Sequence, residues 1–181
     1  MKKIFIYTIF LLALMERIWF DLGPNIELIT LATMLSAFYL NRKSTLILTL
    51  IVMIISDLII GNTNIFIFTW SGFIIPALAV TILLKLKKNK VLLATITGIS
   101  ANLFFFTWTN FGVWLLDSWN MYPNTVFGLI QSFINGAPFL KNQLISTLFF
   151  VPLGFTVYEI TFNSLPTFSK TKRALSKSFF V

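Results

Sequence analysis

Residues 65–90 read IFIFTWSGFIIPALAVTILLKLKKNK, twenty residues without a charge followed by four lysines in six positions. An α-helix rises about 1.5 Å per residue, so the apolar run reaches about 30 Å, the thickness of a bilayer's hydrocarbon core. Lysines crowded behind such a run mark the end that stays in the cytoplasm. One segment therefore supplies both a membrane span and its direction.

Working outward, five more apolar segments appear, at 4–20, 26–40 and 46–60 before it and at 91–110 and 143–162 after it. The expected fold is an all-α polytopic membrane protein of about six transmembrane helices. Segments 26–40 and 46–60 are short for lone spans, which predicts local bilayer thinning or helices extended by their flanks. With the N-terminus inside, twelve of the fourteen Lys and Arg fall on the cytoplasmic side, and only Arg17 and Lys141 fall outside. That asymmetry predicts an even number of crossings with both ends cytoplasmic. Residues 1–163 form the expected transmembrane domain, and 164–181 a basic cytoplasmic tail suited to anionic headgroups. The first segment starts like a signal peptide, with Met1-Lys2-Lys3. It is followed by Glu16-Arg17 instead of a small-residue cleavage site, so it is expected to be retained.

Composition agrees. Apolar residues make up 57% of the chain and charged residues 11%, against about 25% charged in soluble domains. The net charge of +8 sits in short clusters between apolar runs, so nucleic acid is not an expected partner. The chain has no Cys and no His, which excludes disulfides, Cys/His zinc sites, thiol nucleophiles and His-based triads. It has no glycine-rich phosphate loop, so it hydrolyses no ATP itself. No cofactor and no enzymatic activity is expected; lipid chemistry through Asp57 or Asp117 is the weakest alternative.

The outer connections are unequal. Two are short, 21–25 with Gly23-Pro24 and 61–64, while the third is expected to run from about 111 to 142. Within it, 125–135 has the pattern of a short amphipathic helix on or in the outer surface. A loop of that length in a compact protein is usually functional, often a lid. Pro76 and Pro152 should bend the fourth and sixth spans. Small residues four apart, Ala32/Ser36, Thr33/Ala37, Ala94/Gly98 and Thr97/Ala101, suit close helix approach within the bundle or against another membrane subunit.

The residues expected at an outer site are Arg17, Asp21, Asn25, Asp57, Asn110, Trp114, Asp117, Tyr122, Lys141 and Asn142. Charges in or near spans are costly and need a reason. Arg17 and Asp21 are spaced to pair on a helix. Asp57 pairs with Arg17, or is a helix-end carboxylate near water, or faces an outward-open cavity. Arg17 and Lys141, the only outer cations, are the expected clamp for an anionic group. Trp114 and Tyr122 would stack on a flat polar ligand such as a vitamin ring, with Asn110 and Asn142 orienting it. Trp108, Trp114 and Trp119 equally suit an interfacial belt. Glu159, near the inner end, is expected to pair with tail lysines.

Asn110-Phe111-Gly112-Val113-Trp114, Tyr122-Pro123-Asn124-Thr125 with Gly128-Leu129, and Pro138-Phe139-Leu140-Lys141-Asn142 together resemble a family of small, functionally uncharacterised bacterial membrane proteins. Ser56-Asp57 with Gly61, and Pro24-Asn25, fit the same pattern. That family is similar to the substrate-binding S components of energy-coupling factor (ECF) vitamin transporters, and the resemblance spans roughly residues 17–155. It implies an S-component-like bundle in the bacterial plasma membrane, with an outward-facing pocket capped by loops. It also implies a transmembrane coupling subunit and two ATPases as partners. S components often carry an Ala-x-x-x-Ala patch on the first helix, whereas this chain has only Ala13 there. The expected function is a micronutrient-binding membrane subunit; the alternative is a membrane scaffold that binds another membrane protein and no small ligand.

Overall fold

The computed structural model describes residues 1–20, 22–83, 89–117 and 119–164, and among these the chain forms six α-helices and no strand. They are α1 (Lys2–Met15), α2 (Ile29–Tyr39), α3 (Arg42–Ile60), α4 (Phe66–Leu83), α5 (Lys90–Leu116) and α6 (Val126–Glu159). A π-helical turn, Glu16–Phe20, continues α1, and another, Ile160–Ser164, ends α6. Polar side chains set three of the starts. Asn41 accepts from the Ser44 N–H at 2.8 Å, Asn89 from Leu92 at 3.2 Å and Thr125 from Gly128 at 3.2 Å. Each satisfies one of the free N–H groups of a first helical turn.

The helices run alternately up and down. The end holding residues 2 and 163, where Lys2 donates to the Asn163 side chain at 2.7 Å, is the proximal end. The α1–α2, α3–α4 and α5–α6 connections lie at the distal end. Three helices, α3, α5 and the extended α6, are long and apolar enough to cross a membrane.

The faces are inverted relative to a water-soluble bundle. On α3 the buried residues include Thr45, Thr49 and Ser56, while Ile47, Ile51, Leu58 and Ile59 are exposed. On α6 Ser132, Gln143, Ser146 and Thr147 are buried, while Ile145, Leu148, Phe149 and Leu153 point outward. An apolar solvent explains this pattern, since inward hydroxyls and amides then find partners that lipid cannot give.

The second apolar segment is short for a physical reason. Residues 29–37 of α2 are all buried, and α2 contacts each of the other five helices. It is the core of the bundle and needs no lipid-facing length. Its 11 residues reach only about 16 Å. The distal half of its path is the non-helical connection 22–28. Glu159 on α6 meets Tyr39 at the proximal end, and Ser146, which bonds Glu27, stands about 20 Å along α6 from there. Irregular backbone at that depth is tolerated only when buried in protein or lining a cavity.

The expected long connection 111–142 is corrected. Helix α5 continues to Leu116 and α6 begins at Val126, leaving 117–125 as the turn. Residues 125–135 are helical, but they belong to α6 and form no separate surface helix. Gly112, Gly128 and Gly136 each mark a close approach. A Cβ there would come within 2.3 Å of the Phe68 ring, 1.9 Å of the Pro123 carbonyl oxygen and 2.3 Å of the Asn110 side chain, respectively. Pro76 and Pro152 lie inside α4 and α6 as expected, and Pro138 joins them inside α6. The tail from 165 lies outside the described residues.

Candidate ligand-binding site

At 34 and 27 residues, α6 and α5 would measure about 51 and 40 Å, so their distal halves outreach the other helices. Between these halves lies a cavity of about 460 Å³, within the roughly 300–1,000 Å³ common for small-ligand sites. Helix α5 lines it with Phe105, Phe106, Thr109, Asn110 and Val113; α6 contributes Asn135, Gly136, Phe139, Leu140 and Gln143. The α5–α6 turn closes one side with Trp119, Met121 and Tyr122, and the α1–α2 connection contributes Asn25.

The walls are apolar and aromatic, interrupted by four side-chain amides, one phenol and one hydroxyl, and no charged residue lines the cavity among the described residues. Tyr122 is held in place, since Asp117 accepts from its N–H at 3.3 Å and Asn135 donates to its hydroxyl at 3.2 Å. Asn110 donates to the Phe106 carbonyl at 2.8 Å, and Gly136 leaves room for its amide.

Beneath the cavity a polar network ties the helices together. Arg17 donates through Nε to Ser56 at 3.1 Å, pairs with Glu27 at 3.3 Å and reaches Asp57 at 3.6 Å. Asp57 also accepts from the Trp70 indole and from Asn62, both at 2.6 Å. Glu27 accepts from Gln143 at 3.1 Å, its N–H donates to Ser146 Oγ, and Ser146 donates to its carbonyl. Buried Asn102 donates to the Gln143 carbonyl and to Thr147, at 3.0 and 2.6 Å. Such a network holds the irregular connection against α1, α3 and α6, and it reaches the cavity through Gln143.

The ten residues expected from sequence therefore divide. Asn25, Asn110 and Tyr122 line the cavity. Trp114, Asp117 and Asn142 hold its frame. Trp114 donates to the Pro123 and Thr125 carbonyls, Asp117 closes α5 at a positive φ of 42°, and Asn142 donates to the Pro24 carbonyl at 3.0 Å. Arg17 and Asp57 pair with each other at 3.6 Å. The anion clamp is corrected: Arg17 is held by two carboxylates, and Lys141 is exposed on α6 away from the lining. Asp21 lies outside the described residues. Glu159 pairs with Lys90 at 3.2 Å; the tail lysines expected for it are not described. Trp108 donates to Ser71 at 2.8 Å, so it and Trp114 serve as internal braces.

Sequence reasoning missed Gln143, Asn135 and Phe105–Phe106. A buried amide next to the Lys-Asn pair at 141–142 was the available signal for Gln143. The expected loop broke the helical register that would have placed Asn135 one and two turns away from Phe139 and Gln143.

A protein-family model described as a family of unknown function (DUF6580) matches residues 1–168. Comparison with curated proteins and with solved structures returned no match.

Proposed function

The chain belongs to the DUF6580 family of unknown function, and we propose that it is the substrate-binding integral membrane subunit of an uptake system for a small, vitamin-like micronutrient. The observation that carries this reading is the distal cavity of about 460 Å³, walled by aromatics and side-chain amides and bordered by Asn25 of the irregular connection. In membrane transporters, discontinuous helices at depth characteristically accompany a binding site.

In this reading the chain crosses the bacterial plasma membrane six times, with both ends in the cytoplasm and the distal end outward. The positive-inside asymmetry supports that orientation. The ligand presents an uncharged ring to the cavity; Phe105, Phe106 and Tyr122 offer faces, while Asn25, Asn110 and Asn135 offer directional hydrogen bonds. The turn carrying Trp119 and Met121 opens and closes over it. Energy comes from partners, as in ECF S components: a transmembrane coupling subunit with two ATPases. Ala13, the one alanine of α1, is fully buried, so docking to such a subunit uses another face.

The test is thermal unfolding of purified protein with a panel of uncharged ring compounds, nucleobases and vitamins. A true ligand raises Tm with concentration. Asn110→Leu should cost about tenfold in affinity, the scale of one buried hydrogen bond left unmade. No shift with any compound in the wild type would overturn the reading.

One observation favours the scaffold reading. A groove of about 260 Å³ between α4 and α5 is lined by Pro76, Ala79, Thr97, Ser100, Ala101 and Phe104, among others. Small residues on an open membrane face suit a partner helix. This reading predicts a stable protein complex and no small ligand.

A further inference from the structure

Asn25 stands at the edge of the distal cavity. Beyond that residue lies a smaller hollow of about 190 Å³, lined by Glu16 and Arg17 of the π turn, Gly23 and Glu27 of the connection, and Ile60 of α3. Asn25 lines both spaces. Between them Gln143, in the larger wall, donates to Glu27, in the smaller.

The two spaces differ in kind. Among the described residues the larger is lined by no charged side chain, whereas the smaller is lined by two carboxylates and a guanidinium. Charge around the smaller one does not balance. Among the described residues Arg17 is the one cation paired with Glu27 and Asp57, and it serves both. The trio carries a formal charge of −1, with both acid side chains only 10% exposed. Net charge in such surroundings is costly, and proton uptake or a bound counter-charge relieves it. Among the described residues no group of three or more acidic, His or Cys side chains is placed to hold a metal ion.

We propose that the two spaces form one site for a small organic amine. Its uncharged ring fills the larger cavity, a short chain passes Asn25, and its protonated amine enters the smaller hollow beside Glu16 and Glu27. The inference rests on the cavity reading above and adds the ligand's charge and shape. A single positive charge neutralises the trio, whereas an anionic head would deepen the imbalance.

The test is isothermal titration of the full-length protein in detergent with three probes sharing one ring: indole, tryptamine and indole-3-acetate. Tryptamine should bind at least about tenfold tighter than indole, the scale of a hydrogen bond to a charged group, and indole-3-acetate should bind weakest. Glu27→Gln should narrow the gap between tryptamine and indole. Glu16→Gln should do the same, and it serves where Glu27→Gln fails to fold. Equal affinities for tryptamine and indole would overturn the amine subsite and leave the cavity reading standing. No binding of any probe would overturn both.

Discussion

The two ends of this bundle are built from the same six helices and solve opposite problems. At the proximal end helical packing is continuous. Tyr39 and Tyr158 stack at 4.0 Å between centroids, Phe38 meets Phe155 edge-on at 5.0 Å, and Lys90 sits over the Tyr39 ring while pairing with Glu159. At the distal end the central helix stops short, its path is completed by irregular backbone, and buried charges hold that backbone in place. The proximal end is sealed by aromatic packing. The distal end is held open by polar bonds, which fix groups in direction and leave space between them. That contrast sets the distal cavity apart from the rest of the bundle.

If the distal network supports the irregular connection, Arg17→Met should have the largest effect. It strands Glu27 and Asp57 without their cation, and breaking a buried pair this way costs about 3–5 kcal/mol. Chemical denaturation in detergent reads it, and adding Asp57→Asn should recover part of the loss. Next comes Gly136→Ala, whose Cβ would meet the Asn110 side chain. Overpacking predicts a loss of about 1–3 kcal/mol and weakened ligand binding, both readable from melts with and without ligand. The smallest effect belongs to the proximal end. Lys90 is half exposed and its partner Glu159 a quarter, so Lys90→Met should shift stability by at most about 1 kcal/mol. A Lys90 effect as large as that of Arg17 would erase the distinction between the ends.

Much of the architecture was legible in the sequence because lipid imposes a simple rule. Apolar runs long enough to span and lysines gathered at alternate ends marked six helices with few rivals. The distal hairpin was not legible. Gly128, Gly136 and Pro138 signal a loop in water, but here the glycines are contact points for Pro123 and Asn110, which only the folded neighbours reveal. The site was half legible. Asn25, Asn110 and Tyr122 stood out as polar or aromatic groups on the correct side. Arg17 was expected to meet a ligand because it and Lys141 are the only outer cations; its pairing with Asp57 was one of the readings, whereas Glu27, 10 positions away, was not anticipated.

Native mass spectrometry of the protein, extracted gently from its own membranes, tests the central claim most directly. A small molecule that stays with the wild-type chain, leaves on unfolding and is lost from Gly136→Ala is the predicted result. A wild-type chain that emerges bare, or carries only a protein partner, would contradict a ligand site at the distal end.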